Sequence, residues 1–177
     1  MPKTLTLTKV VVPPNGVKLE VQGEREIHAE GPKGKLTLRL PSGNYSIEQK
    51  EKGISVVGTG LKKEDAAMFG TVVALINNTA KGVLEGYEKT LVVAYSHFPM
   101  NVHVDGDKVV VENFIGERGK RYGQIVGDTK VEVNGDIIRV SGPDKHAVGQ
   151  TAANIIRACK LTGYDRRVFQ DGIFLKV

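Results

Sequence analysis

Seven consecutive residues, Gly116-Glu117-Arg118-Gly119-Lys120-Arg121-Tyr122, hold three cations, two glycines and an aromatic ring. Glycines let backbone N–H groups approach a phosphate closely, and cationic tips complete such a cradle. Apolar-alternating runs stand on either side, Val109 to Phe114 and Val131 to Val140, so the stretch reads as a loop between strands. Gly31-Pro32-Lys33-Gly34-Lys35 has the same character earlier in the chain. One such loop alone is most simply a solvated hairpin tip. Two at related places favour contact with a phosphate chain.

Other chemistries find less support. Neither Gly-Lys pair is followed by Ser or Thr with a glycine five positions upstream, so no nucleotide-triphosphate loop is present. Gly58-Thr59-Gly60 lacks the third glycine of a dinucleotide fingerprint, and Asn77 stands where an acid is expected; the stretch reads as a plain turn. His28, His97, His103 and His146 are scattered, and Cys159 is the single cysteine. That leaves no disulfide framework and no cysteine-only metal cage. Ser96-His97 adjacency has no nucleophile elbow to serve, and the carboxylates are spread through turns. No catalysis, cofactor or metal is expected.

A second group of candidates lies near the C-terminal end. Val148, Thr151, Ala152, Ile155 and Cys159 mark the apolar stripe of a helix. Gln150, Asn154 and Arg157 share another of its faces, where amides can fix register and a guanidinium can fork onto phosphate. An ordinary wet helix face has the same pattern. Beyond it come Lys160, Tyr164, Arg166, Arg167 and Lys176, with Phe169 among them, a mixture of cations and rings that can stack on bases. Val168, Phe169, Ile173, Phe174 and Leu175 look core-like and suggest a docked strand that anchors the tail.

The elements that must carry these residues are legible in outline. The 177 residues fit one large domain or two small ones, and 40% hydrophobic content supports a core. Met1 to Val12 reads as a leading arm or an edge strand without a secretory signal, and no stretch approaches the roughly 20 apolar residues of a membrane span. A net charge of +5 favours a polyanionic partner. Period-two alternation marks strands through Val17 to Val21, Glu26 to Glu30, Leu36 to Leu40, Tyr45 to Gln49 and Ile54 to Val57. Phe69, Val72, Val73, Ile76 and Ala80 then follow helical spacing, with Lys81-Gly82 as the stop. After Gly82 the order of elements repeats. Val21-Gln22-Gly23, Gly34-Lys35 and Phe69-Gly70 find counterparts roughly 80 residues later at Val104-Asp105-Gly106, Gly119-Lys120 and Val148-Gly149. The expected fold class is α+β, two tandem copies of an antiparallel sheet with one helix packed on it. The copies cover residues 1–83 and 84–177, the second with a basic tail.

Four segments carry a family resemblance. They are Tyr95-Ser96-His97-Phe98-Pro99, Asn113-Phe114-Ile115-Gly116-Glu117, Val148-Gly149-Gln150-Thr151-Ala152-Ala153-Asn154-Ile155 and Asp165-Arg166-Arg167-Val168-Phe169-Gln170-Asp171-Gly172-Ile173. Together they resemble the large-subunit ribosomal protein L-six family, most closely its archaeal and eukaryotic branch. The resemblance implies two tandem α+β copies and a place in the cytoplasmic ribosome. It implies binding to large-subunit rRNA near the stalk base, beside neighbouring ribosomal proteins and the sarcin–ricin region where translational GTPases dock. It also implies that the second copy makes most of the RNA contacts. The bacterial branch ends in a lysine- and glycine-rich tail; here Arg166 to Val177 stands instead, so that branch's tail contacts do not carry over.

The expected function is structural and non-enzymatic: cations neutralise phosphates of folded RNA while amides fix register. The candidate contacts are Lys33, Lys35, Arg118, Lys120, Arg121 and Tyr122 from the loops, and Gln150, Asn154, Arg157, Lys160, Arg166 and Arg167 from the helix and tail. The rival is a basic protein-interaction module that docks an acidic protein factor.

Overall fold

The computed structural model describes residues 5–23, 25–50 and 53–176. It divides into two compact units, Met1–Gly86 and Tyr87–Val177.

In the first unit, alternation makes strands with one buried face. The elements run β1 (Leu5–Val11), β2 (Lys18–Gln22), β3 (Glu26–Gly31), β4 (Gly34–Arg39), β5 (Ser46–Lys50), β6 (Gly53–Leu61) and α1 (Lys63–Glu85). All pairings are antiparallel, in two sheets ordered β2-β3-β4 and β1-β6-β5. Gln49 ties them: Val21 N–H donates to its Oε1 and its Nε2 donates to the Leu19 carbonyl. Gly58-Thr59-Gly60, expected as a turn, is strand. It lies within β6, where the pairing with β1 shifts register between Leu5 and Leu7, an irregularity that glycine accommodates.

Helix α1 buries Phe69, Val72, Val73, Ile76, Ala80 and Val83 in one core with Ile27, Ala29, Ile54 and Val56 of the sheets. Each large side chain fully removed from water contributes roughly 1.5–3 kcal/mol. Asp65 reaches back to the Lys62 N–H, which starts the helix. The expected stop at Lys81-Gly82 is corrected. Fully buried Val83 holds the helix for another turn, and Gly86, at φ 80°, ends it with its N–H on the Gly82 carbonyl. The unit boundary accordingly falls after Gly86 rather than after residue 83.

The expectation that no segment reaches membrane-span length is also corrected. Glu64–Glu85 is long and apolar enough by length and composition. Its stripe of large apolar residues raises the average and packs on the sheets of its own unit.

The end of α1 fixes the first glycine-lysine loop. A Cβ on Gly31 would lie 2.5 Å from the Val83 carbonyl oxygen, and the Lys33 N–H donates to that same oxygen at 2.9 Å. The close backbone approach that glycine permits here is made to a helix terminus.

The second unit repeats the first strand for strand. Its elements are β7 (Tyr87–Ala94), β8 (Asn101–Asp105), β9 (Lys108–Glu112), β10 (Arg121–Gln124), β11 (Lys130–Asn134), β12 (Ile137–Gly142), α2 (Lys145–Ala158) and β13 (Gly172–Leu175). The sheet β8-β9-β10 matches β2-β3-β4, and β7-β12-β11 matches β1-β6-β5. Two features bear on the candidate residues. Residues 121–124 form a strand not expected from the sequence, which moves Arg121 and Tyr122 out of the loop. Strand β13 adds an edge beside β7. Asp144 caps α2 by accepting the His146 N–H, and the expected stripe of Val148, Thr151, Ala152, Ile155 and Cys159 is buried.

Candidate nucleic-acid interface

The loop between β9 and β10 is held in one shape. Asn113 (φ 59°) and Ile115 (φ 51°) are left-handed, which for β-branched Ile115 is a strained state costing about 1–2 kcal/mol. Phe114 between them is fully buried, and Asn113 Nδ2 donates to the Pro99 carbonyl at 3.0 Å. Arg121 locks the far side. Its Nε and Nη2 donate to the Glu117 carboxylate at 2.8 and 2.6 Å, and its Nη1 donates to the carbonyls of Ala158 (3.0 Å) and Lys160 (3.1 Å). Its guanidinium lies 4.4 Å from the centroid of the Phe114 ring. Hydrogen bonding to Arg121 holds the Glu117 carboxyl below the usual carboxylate range.

Helix α2 is pinned in a similar way. Gln150 Nε2 donates to Asn154 Oδ1, and Asn154 Nδ2 donates to the Gln124 carbonyl at the end of β10. Thr151 Oγ1 accepts the Val126 N–H.

Past the helix, a groove of about 580 Å³ lies between the end of α2 and β13. Cys159, Phe169 and Phe174 line it together with Arg157, Lys160 and Arg166. Burial pushes the Cys159 thiol up to about 12, so it stays a neutral apolar wall. The chain behind the groove is fastened by Asp171, which is buried. Its Oδ1 accepts the N–H groups of Ser96 (2.9 Å) and His97 (3.1 Å), and its Oδ2 pairs with His97 Nδ1 at 2.7 Å. The His97 ring stacks on Phe169 with centroids 4.6 Å apart, and Tyr164 packs on Phe169 at 4.8 Å.

The duplication has an independent counterpart. A family model described as ribosomal protein L6 matches residues 13–86 and again residues 98–172. The chain belongs to the ribosomal protein L6 family. Among curated relatives named large ribosomal subunit protein uL6, that of Methanothrix thermoacetophila is 44% identical over 162 residues, 92% of each chain. The Archaeoglobus fulgidus protein is 43% identical over 171 residues, 94% of this chain and 87% of its own. The Methanococcus vannielii protein is 39% identical over 175 residues, 99% and 96% respectively. Membership makes the chain a ribosomal protein and not an enzyme.

Within this L6 fold the candidate residues separate into two kinds. Arg121 has its donors committed to Glu117 and two carbonyls, which makes it a strut of the loop. Gln150 and Asn154 join α2 to β10. Lys35 pairs with Glu30 at 2.8 Å and Lys120 with Glu112 at 2.7 Å. Both lysines are exposed and screened by water, so a phosphate can replace the carboxylate at small cost. Lys33, Arg118, Tyr122, Arg157, Lys160, Arg166 and Arg167 are exposed. Of these, the side chains of Arg118, Arg157, Lys160, Arg166 and Lys33 have no ion-pair partner among the described residues. Three of the candidates, Arg157, Lys160 and Arg166, meet at one groove.

Sequence reasoning missed two groups. Phe174, expected in the core, is 46% exposed at the groove, and Val168 and Leu175 are exposed as well. Only Ile173 of that apolar run is fully buried, because β13 is an edge strand whose last two residues lie beyond the core. The Asp171–His97 latch joins residues more than seventy positions apart, which no local spacing reveals.

Proposed function

We propose that this chain is a structural component of the large ribosomal subunit that binds large-subunit rRNA through its second unit. The observation that carries the proposal is the convergence of Arg157, Lys160 and Arg166, without carboxylate partners among the described residues, on one concave surface. The relatives' name, large ribosomal subunit protein, supports the assembly in which that surface works. The rigid Arg118 loop supplies a further cation, and Lys120 and Tyr122 stand next to it in sequence. Lys33, Lys35 and Arg167 are kept as peripheral contacts. The cytoplasmic ribosome is the place of action.

Salt dependence tests it. Replacing Arg157, Lys160 and Arg166 together by Ala should lower the slope of log K against log salt for rRNA-fragment binding by roughly 2–3. An unchanged slope in the triple variant takes the groove out of the interface.

Within the subunit we place the protein near the stalk base, beside other ribosomal proteins and the sarcin–ricin region where translational GTPases dock. The four resembling segments support this placement, and the last of them, Asp165 to Ile173, lines the groove. Chemical footprinting of large subunits with and without the protein should show protection in that region. Protection confined to another part of the rRNA overturns the placement.

A further inference from the structure

The groove is more than a cationic patch, and its floor has a chemistry that phosphate alone does not require. Phe174 is 46% exposed there, while Cys159 and Ile173 are buried beneath. Gly172 has no side chain, so the Phe174 ring lies across its backbone; a Cβ on Gly172 would be 3.1 Å from the ring. Phe169 is braced by the His97 ring and by Tyr164, which keeps a second aromatic wall in place. The volume of about 580 Å³ suits a small planar ligand with an attached charged group. A paired helix presents phosphates but keeps its base faces stacked inside, so it can use the cations and leave the aromatic floor empty. The one carboxylate lining the groove among the described residues, Asp171, is already committed to His97 and two backbone amides.

Resting on the RNA-binding reading above, we propose that this groove receives one unpaired nucleotide of the RNA. Its base lies against Phe174, and its phosphates are held by Arg157, Lys160 and Arg166. Stacking on an aromatic face tolerates any base, so selectivity is for an extruded nucleotide rather than for a sequence.

The test uses the full chain and two RNA hairpins of equal stem length, one fully paired and one with a single bulged adenosine. Binding is followed by fluorescence anisotropy. The bulged hairpin should bind roughly tenfold tighter. An abasic site in the bulge should remove that preference without any change to the protein. Phe174→Leu should also remove it and leave affinity for the paired hairpin as it was; the exposed position and an unchanged melting temperature separate this effect from misfolding. Equal binding of both hairpins, with normal salt dependence, overturns the nucleotide receptor and leaves rRNA binding standing. No salt-dependent binding of either hairpin overturns both. A preference that survives Phe174→Leu overturns the placement of the base. Competition by free adenosine monophosphate as effective as that by the bulged hairpin overturns the RNA as its source.

Discussion

Asp171→Ala should destabilise the second unit by about 1–3 kcal/mol. The substitution leaves the Ser96 and His97 amides and the His97 ring without their acceptor, beneath a buried position. A stranded donor costs about 1–3 kcal/mol when water cannot reach it, and less here because Ser96 and His97 are themselves exposed. The His97 ring also braces Phe169, so the groove should loosen together with residues 95–99. Urea denaturation measures the loss, and hydrogen exchange at Ser96 and His97 locates it. A change below 1 kcal/mol would show that the latch is ornamental. The same carboxyl supplies a pH dependence. Burial drives its pKa up, but the bonds from His97 and the two amides outweigh burial and hold it below the ordinary value. A carboxyl held low in the fold contributes stability that is complete above its unfolded value of about 3.9 and is lost as pH falls through the folded value. The wild-type chain should therefore lose stability below about pH 4 more steeply than Asp171→Asn does.

Gly31→Ala should cost about 2–4 kcal/mol, against less than about 0.5 kcal/mol for Gly119→Ala. Gly119 precedes a lysine directly and Gly31 stands two residues before one, in stretches of like composition, yet their surroundings are opposite. A Cβ on Gly31 meets the Val83 carbonyl at 2.5 Å, whereas one on Gly119 meets nothing within 4 Å. Relief at Gly31 requires moving the loop off the helix end, which breaks the bond from the Lys33 N–H to Val83. Denaturation curves of the two variants decide the matter. Equal tolerance would mean that the first loop does not cap α1.

That contrast shows what the sequence could and could not disclose. Composition revealed two glycine-lysine loops, and period-two and helical spacing placed them correctly between strands. It could not reveal what each glycine faces, because Val83 approaches Gly31 from fifty residues away. Arg121 illustrates the same limit. Its type suggested a cationic tip for a phosphate, but Glu117, Ala158 and Lys160 converge on it only through the fold. Gln150 and Asn154 lie on one helical face as their spacing required; that β10 runs beside that face was hidden, since Arg121–Gln124 is short and carries Gly123. The buried stripes of both helices were legible because burial there follows a period that the chain itself displays. The tail was half legible: Ile173 is core, while Phe174 is set outward at the edge of β13.

The repeated strand order leaves a mark on how the molecule must assemble. In each unit the first strand meets its partner only after four others have been made, β1 with β6 and β7 with β12. Such distant pairings make collapse slow, since long loops must close before any contact rewards them. A chain returning from denaturant also meets two equivalent edges, so β6 can be offered β7 and β12 can be offered β1, a swapped trap of the kind tandem copies create. The interruption in register that β1–β6 has and β7–β12 lacks is the feature that tells the two partnerships apart.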